Sequence, residues 1–192
     1  MTVDTQGNDL EAVGVPITGL AAFAPLLQAN VIAKTELGAS PLVLPPAFKR
    51  LGLYTQDGGP AESREGGEAI EFFQKGYSLA GDGTRTVVIG LAEQNANVQV
   101  LLEGTEPDAN GVIEVSSSLP DNRFILLEVT KYRNGTEKRR EGVAAITAIE
   151  PDQRQRGSVE GAKVTFTWQE DPLFNNAPFW QWGPAIPGTP AD

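Results

Sequence analysis

From residue 68 onward, apolar and polar positions alternate in short runs bounded by Gly, Asn and Asp. That rhythm belongs to antiparallel strands rather than helices. The runs are Glu68 to Lys75, Thr84 to Leu91, Val112 to Ser117, Arg123 to Arg133, Gly142 to Ile149 and Val159 to Gln169. Turns are expected at Gly81-Asp82-Gly83, Asn110-Gly111 and Asn134-Gly135, where glycine can take the backbone that a tight reversal requires. Alternation is cleanest at Ala162, Val164, Phe166 and Trp168, whose neighbours Lys163, Thr165 and Thr167 face the other way. The run from Phe124 to Leu127 is apolar on both faces, the mark of a strand covered on both sides. Leu51, Leu53 and Thr55 read as a further short strand. Only Glu93 to Glu103 predicts a helix, with Leu91, Val98, Leu101 and Leu102 spaced by three and four, although Val98, Val100 and Leu102 also alternate. The expected fold is mainly β: an antiparallel sandwich or rolled sheet with one flanking α-helix.

The amino-terminal part reads differently. Residues 12–33 carry no charge, yet Pro16 and Pro25 interrupt the stretch, Gln28 and Asn30 lie inside it, and only acids (Asp4, Asp9, Glu11) precede it. A secretory signal opens on positive charge, so the expected origin is cytoplasmic, with no membrane span. Residues 1–13 are expected to form a mobile arm and 14–171 a single domain. Residues 172–192 form an extension rich in aromatic, Pro and Gly residues. Phe179, Trp180 and Trp182 crowd its middle in a window that does not read as a regular strand. Aromatics so placed either tuck onto their own domain or insert into a neighbour.

Composition narrows the chemistry. The 192 residues include no Cys and no His. This removes Ser-His-Asp and Cys-His centres, zinc sites built on imidazole or thiolate, and disulfide scaffolds. The acids between Asp57 and Glu71 match no calcium-loop spacing, a glycosidase pair has no distinguishing signature, and Asn134-Gly135-Thr136 reads as a hairpin turn rather than a glycan acceptor. No catalytic residue, metal or cofactor is therefore expected. The formal charge is −10, distributed unevenly: residues 1–120 hold 6 basic and 15 acidic side chains, whereas residues 121–163 hold 9 and 7. An acidic loop with Asp57, Glu62, Arg64 and Glu65 and a basic hairpin with Lys138, Arg139 and Arg140 could dock head to tail between copies, giving rings or filaments. Read as exposed, Arg139 and Arg140 reversed to Glu should impair polymerisation and spare the fold.

Residues 41–58, PLVLPPAFKRLGLYTQDG, resemble the segment of siphophage major tail tube proteins in which a proline-rich lead precedes a short strand and an Asp-Gly turn. The order that follows is similar too: an acidic loop, strands at 68–75 and 84–91, a helix opening on Glu93-Gln94-Asn95-Ala96, and closing strands to about residue 171. The resemblance implies hexameric rings stacked into a tube through which the phage genome passes. It further implies that the loop Asp57 to Gly67 contacts the next ring, and that a tape measure protein, a tail terminator and distal tail proteins are partners. Assembly would take place in the host cytoplasm and the product would be part of the virion. An acidic wall suits this role, because duplex DNA carries about one negative charge per 1.7 Å and would stall on a basic one. The alternatives are a tail terminator or head-tail joining ring, and a carbohydrate-binding sandwich that stacks sugars on Trp180 and Trp182.

Overall fold

The structure is a computed structural model and describes residues 5–183. Eight antiparallel strands form one sheet: β1 (Pro16–Pro25), β2 (Lys49–Arg50), β3 (Ala61–Glu71), β4 (Ser78–Leu91), β5 (Phe124–Tyr132), β6 (Glu137–Pro151), β7 (Ala162–Gln169) and β8 (Phe179–Trp182). Their order is β2-β1-β5-β6-β7-β4-β3, and β8 pairs with the first part of β6. Two helices flank the sheet: α1 (Lys34–Leu37), a single turn, and α2 (Ala96–Glu103). The sheet rolls up, bringing Glu62 of the edge strand β3 onto Lys138 and Arg140 of β6, three strands away in the order.

Rolling gives the sheet an inner face that helix α2 closes. Val87 and Ile89 from β4, Phe124 and Leu126 from β5, and Val164, Phe166 and Trp168 from β7 pack there against Val98 and Leu101 of α2. Phe124 stands edge-on to both Phe23 (5.8 Å) and Phe166 (6.1 Å). The alternation expected along β7 holds: Val164, Phe166 and Trp168 are buried, and Lys163, Thr165 and Thr167 are not. The outer face of β5 and β6 is covered by residues 26–48, which lay Ile32 and Leu37 on Leu127 and Val129. With both faces covered, residues 124–130 are buried without a break.

Helix α2 starts three residues later than the spacing predicts. The Asn95 side chain caps it by accepting from the Val98 amide at 3.0 Å. Glu93 lies outside, accepting instead from the Leu53 amide (2.8 Å) and from Asn95 Nδ2 (2.9 Å). Gly104 ends the helix with φ 72°, a backbone that side chains disfavour.

Four expectations are corrected. Residues 16–25, part of the uncharged stretch to which no element is assigned from the sequence, form β1 against β5. Residues 112–117, read as a strand, are irregular; Val112 and Val115 are exposed and find no strand to pair with. Gly81-Asp82-Gly83 lies within β4 rather than at a turn, and the chain reverses at 72–77 instead. Most of the acidic loop is strand β3. The Asn134-Gly135 reversal between β5 and β6 is as expected, with the Gly135 amide donating to the Tyr132 carbonyl at 3.0 Å.

Phe166→Ala should destabilise the protein by about 3–5 kcal/mol, because the residue is wholly buried and its neighbours cannot all collapse into the space. Urea denaturation followed by tryptophan fluorescence measures this.

Candidate assembly surface

Strand β6 opens with five consecutive charged residues, Glu137-Lys138-Arg139-Arg140-Glu141, and the sheet buries the last three. Alternation splits them between the two faces. On the outer face, Arg139 is 3% exposed. It donates to the carbonyls of Leu37 (2.8 Å) and Ala39 (2.6 Å) and to Glu137 (2.7 and 2.9 Å), and it lies 4.7 Å over the Trp182 ring. Glu141, on the same face, accepts from the Ile32 amide at 2.9 Å through one carboxylate oxygen. Its other oxygen is buried with no hydrogen-bond partner. Burial raises the Glu141 pKa to about 7, against the pull of the Ile32 hydrogen bond.

On the inner face, Lys138 (2.7 Å) and Arg140 both pair with Glu62. Burial alone would raise the Glu62 pKa, but the hydrogen bonds and charges of Lys138 and Arg140 outweigh it and hold the carboxyl below its ordinary range. Glu128, opposite Arg140 on β5, is 1% exposed. Its burial raises its pKa despite the Arg140 charge. The Arg140 guanidinium also lies 4.9 Å over Phe179 and donates to Gln181 at 2.8 Å.

The acidic and basic segments thus meet inside one subunit. Arg139 and Arg140, expected to be exposed, are buried because β8, the 26–48 segment and β3 each supply them with partners. Asp57, Arg64 and Glu65 remain exposed. Arg64 stands opposite Arg85 on β4, and Arg85 leans over the Phe179 ring.

The aromatic window, not expected to be regular, is strand β8. Its residues Phe179 to Trp182 run beside Gly142 to Arg139, and Gly142 is required because a side chain there would meet the Phe179 backbone. Phe179 packs on Trp168 at 5.0 Å, and Trp180 stands edge-on to Phe174 at 4.8 Å while donating to the Phe174 carbonyl at 3.1 Å. Of the two placements open to these aromatics, the structure takes the self-packed one. Lys34 lies over the Trp180 ring and Arg139 over Trp182, which leaves neither as the open platform a stacked sugar needs. Residues 184–192 of the extension and 1–4 of the arm lie outside the described residues.

What is left without cover is the β3–β4 hairpin. Every residue of β3 is exposed, and its outer edge has no neighbouring strand. Near the tip Ile70, Phe72, Tyr77 and Leu79 are more than half exposed, and Phe73 is fully so. The sequence carries a signal for this patch, since Ile70–Phe72 and Tyr77–Leu79 alternate around Gln74-Lys75-Gly76. It reads there as ordinary strand. Among the described residues no group of acids is arranged to hold a metal ion, and no helix is long and apolar enough to cross a membrane.

No family model and no curated protein matches the chain. Among solved structures, the chain is similar to a chain of the anti-feeding prophage baseplate, determined by cryo-electron microscopy with six-fold symmetrisation. The identity is 12% and the TM-score 0.46, over 91% of this chain and 99% of that one. A likeness at that level carries no argument about function.

Two outcomes follow from the buried charges. Arg139→Glu should abolish the folded state, not merely assembly, because it places a carboxylate against two carbonyls and Glu137; breaking a buried pair costs about 3–5 kcal/mol. Circular dichroism of the variant checks this. For Glu141 the folded pKa lies above the ordinary 4.5, so its contribution to stability is complete below pH 4.5 and is lost as pH rises through about 7. Glu141→Gln should therefore exceed the parent in stability at pH 8, by up to about 3 kcal/mol, with the advantage shrinking toward pH 5. Urea midpoints at the two pH values measure the difference.

Proposed function

We propose that this chain is a structural, non-enzymatic subunit of a phage tail that assembles with copies of itself into stacked rings, hexameric as the sequence resemblance implies, forming an acidic conduit for DNA. The carrying observation is the β3 edge: eleven exposed strand residues ending in an uncovered apolar tip. An open strand edge offers a row of unpaired amides and carbonyls and pairs readily with another chain unless it is blunted. On the opposite edge two-residue β2 pairs only with Ala22 and Phe23 of β1, and Pro16 to Thr18 stay exposed, which leaves a short stretch against which another copy can add. The surplus of acids on β3 supports a wall that repels phosphate. Tape measure, terminator and distal tail proteins would be the further partners and the virion the final location.

Negative-stain electron microscopy of the purified protein at increasing concentration should show rings, and tubes of uniform bore. Single rings that never stack would favour the terminator reading. A monomer at every concentration and ionic strength would overturn self-assembly.

A further inference from the structure

Strand β3 turns Glu62 inward to Lys138 and Arg140, so Arg64, two residues further along the same strand, faces the same way. Directly opposite Arg64 on β4 is Arg85, which lies two residues from the wholly buried Val87 and shares its face. Opposite residues of an antiparallel pair have Cβ atoms about 4.5–5.5 Å apart, and like charges so placed repel. Acids are plentiful nearby in sequence, since residues 61–83 hold five. Among the described residues, however, neither Arg64 nor Arg85 has an ion pair or a hydrogen bond from its guanidinium.

Register explains why the nearest acids do not serve them. Glu62, on the same face, is already shared by Lys138 and Arg140. Glu65 alternates to the other face, opposite Thr84. Arg85 rests instead on an aromatic floor: its guanidinium lies 5.3 Å from the centre of the Phe179 ring, and that of Arg140 lies 4.9 Å from the same ring. Phe179 is itself fixed, packed on Trp168 at 5.0 Å and paired with Gly142. Contact with a ring face eases the charge of a guanidinium but gives its N–H groups no acceptor. Two donor forks, one of them held by the ring, therefore stand side by side with nothing in the described chain to receive them.

We infer that Arg64 and Arg85 form a receptor for a terminal phosphate group, either inorganic phosphate or the phosphate of a small monoester. A guanidinium donates two parallel hydrogen bonds to phosphate oxygens, and two guanidiniums on one face can grip the same tetrahedral group. A terminal phosphate carries about −1.5 to −2 at neutral pH, enough to offset both cations and turn their repulsion into a shared attraction. A carboxylate brings only one charge. Duplex DNA, charged along its whole length, meets the acids of β3 as well, whereas a lone phosphate meets the two arginines. The site is thus separate from the passage of DNA, and it does not depend on assembly.

Arg64 is exposed, so its replacement leaves the fold intact and permits a direct test. Isothermal titration of the full chain with inorganic phosphate and with phenyl phosphate should show binding that Arg64→Gln weakens at least tenfold. Arg64→Lys, which keeps the charge and loses the fork, should fall between the two. Equal affinity for both probes assigns the free ion, and tighter binding of phenyl phosphate assigns a monoester. Melting temperatures give an independent readout. In sodium chloride Arg64→Gln should melt above the parent, because it relieves the like-charge pair, and in saturating phosphate of equal ionic strength the order should reverse. General stabilisation by excluded phosphate would raise both proteins alike. Absence of binding by the parent, or binding that Arg64→Gln and Arg85→Gln leave unchanged, would overturn the proposal. So would binding of a 20-base-pair duplex that Arg64→Gln removes, with no response to either small phosphate, since that would assign the arginines to nucleic acid.

Discussion

Charged groups removed from water must find partners within the protein, and β6 presents this requirement three times in succession, from Arg139 to Glu141. Three otherwise separate parts of the chain answer it. The 26–48 segment supplies carbonyls and an amide to Arg139 and Glu141, β8 supplies Trp182, Phe179 and Gln181, and β3 supplies Glu62. Closure of the roll and docking of the carboxy-terminal strand are therefore two aspects of one electrostatic constraint. The solution is complete for the arginines and incomplete for the acids: Glu128 and Glu141 each keep one buried, unpartnered oxygen. Raised pKa values at both are the expected result.

This constraint changes where an association surface can lie. Opposite charges that look complementary between molecules along the sequence are consumed within one. What remains exposed is an acidic edge strand with an apolar end. Such features favour contacts that bury aromatic area, with charge setting orientation and encounter rate more than strength.

The sequence is legible where burial is one-sided. Strand β7 shows this, since Val164, Phe166 and Trp168 face the core and the residues between them do not. Strand β1 is hidden for the opposite reason. Ala21, Ala22, Phe23 and Ala24 are all buried, so the pattern lacks alternation, and alanine brings little strand preference of its own. Residues 81–83 mislead because glycine serves two ends. Gly81 lies opposite Gly67 across the ribbon, where a side chain would meet the partner backbone, so these glycines permit a close approach rather than a turn. Arg139 and Arg140 mislead because composition reports charge and not solvation. Their burial depends on partners about 100 residues before them and about 40 after, which no local pattern can reveal.

Hydrogen–deuterium exchange on dilute and on assembled protein tests the account most directly. Residues 61–83 should exchange fast in the dilute subunit and become protected on assembly, while β6 stays protected in both. Assembled particles in which residues 61–83 exchange as fast as in the free subunit would contradict it.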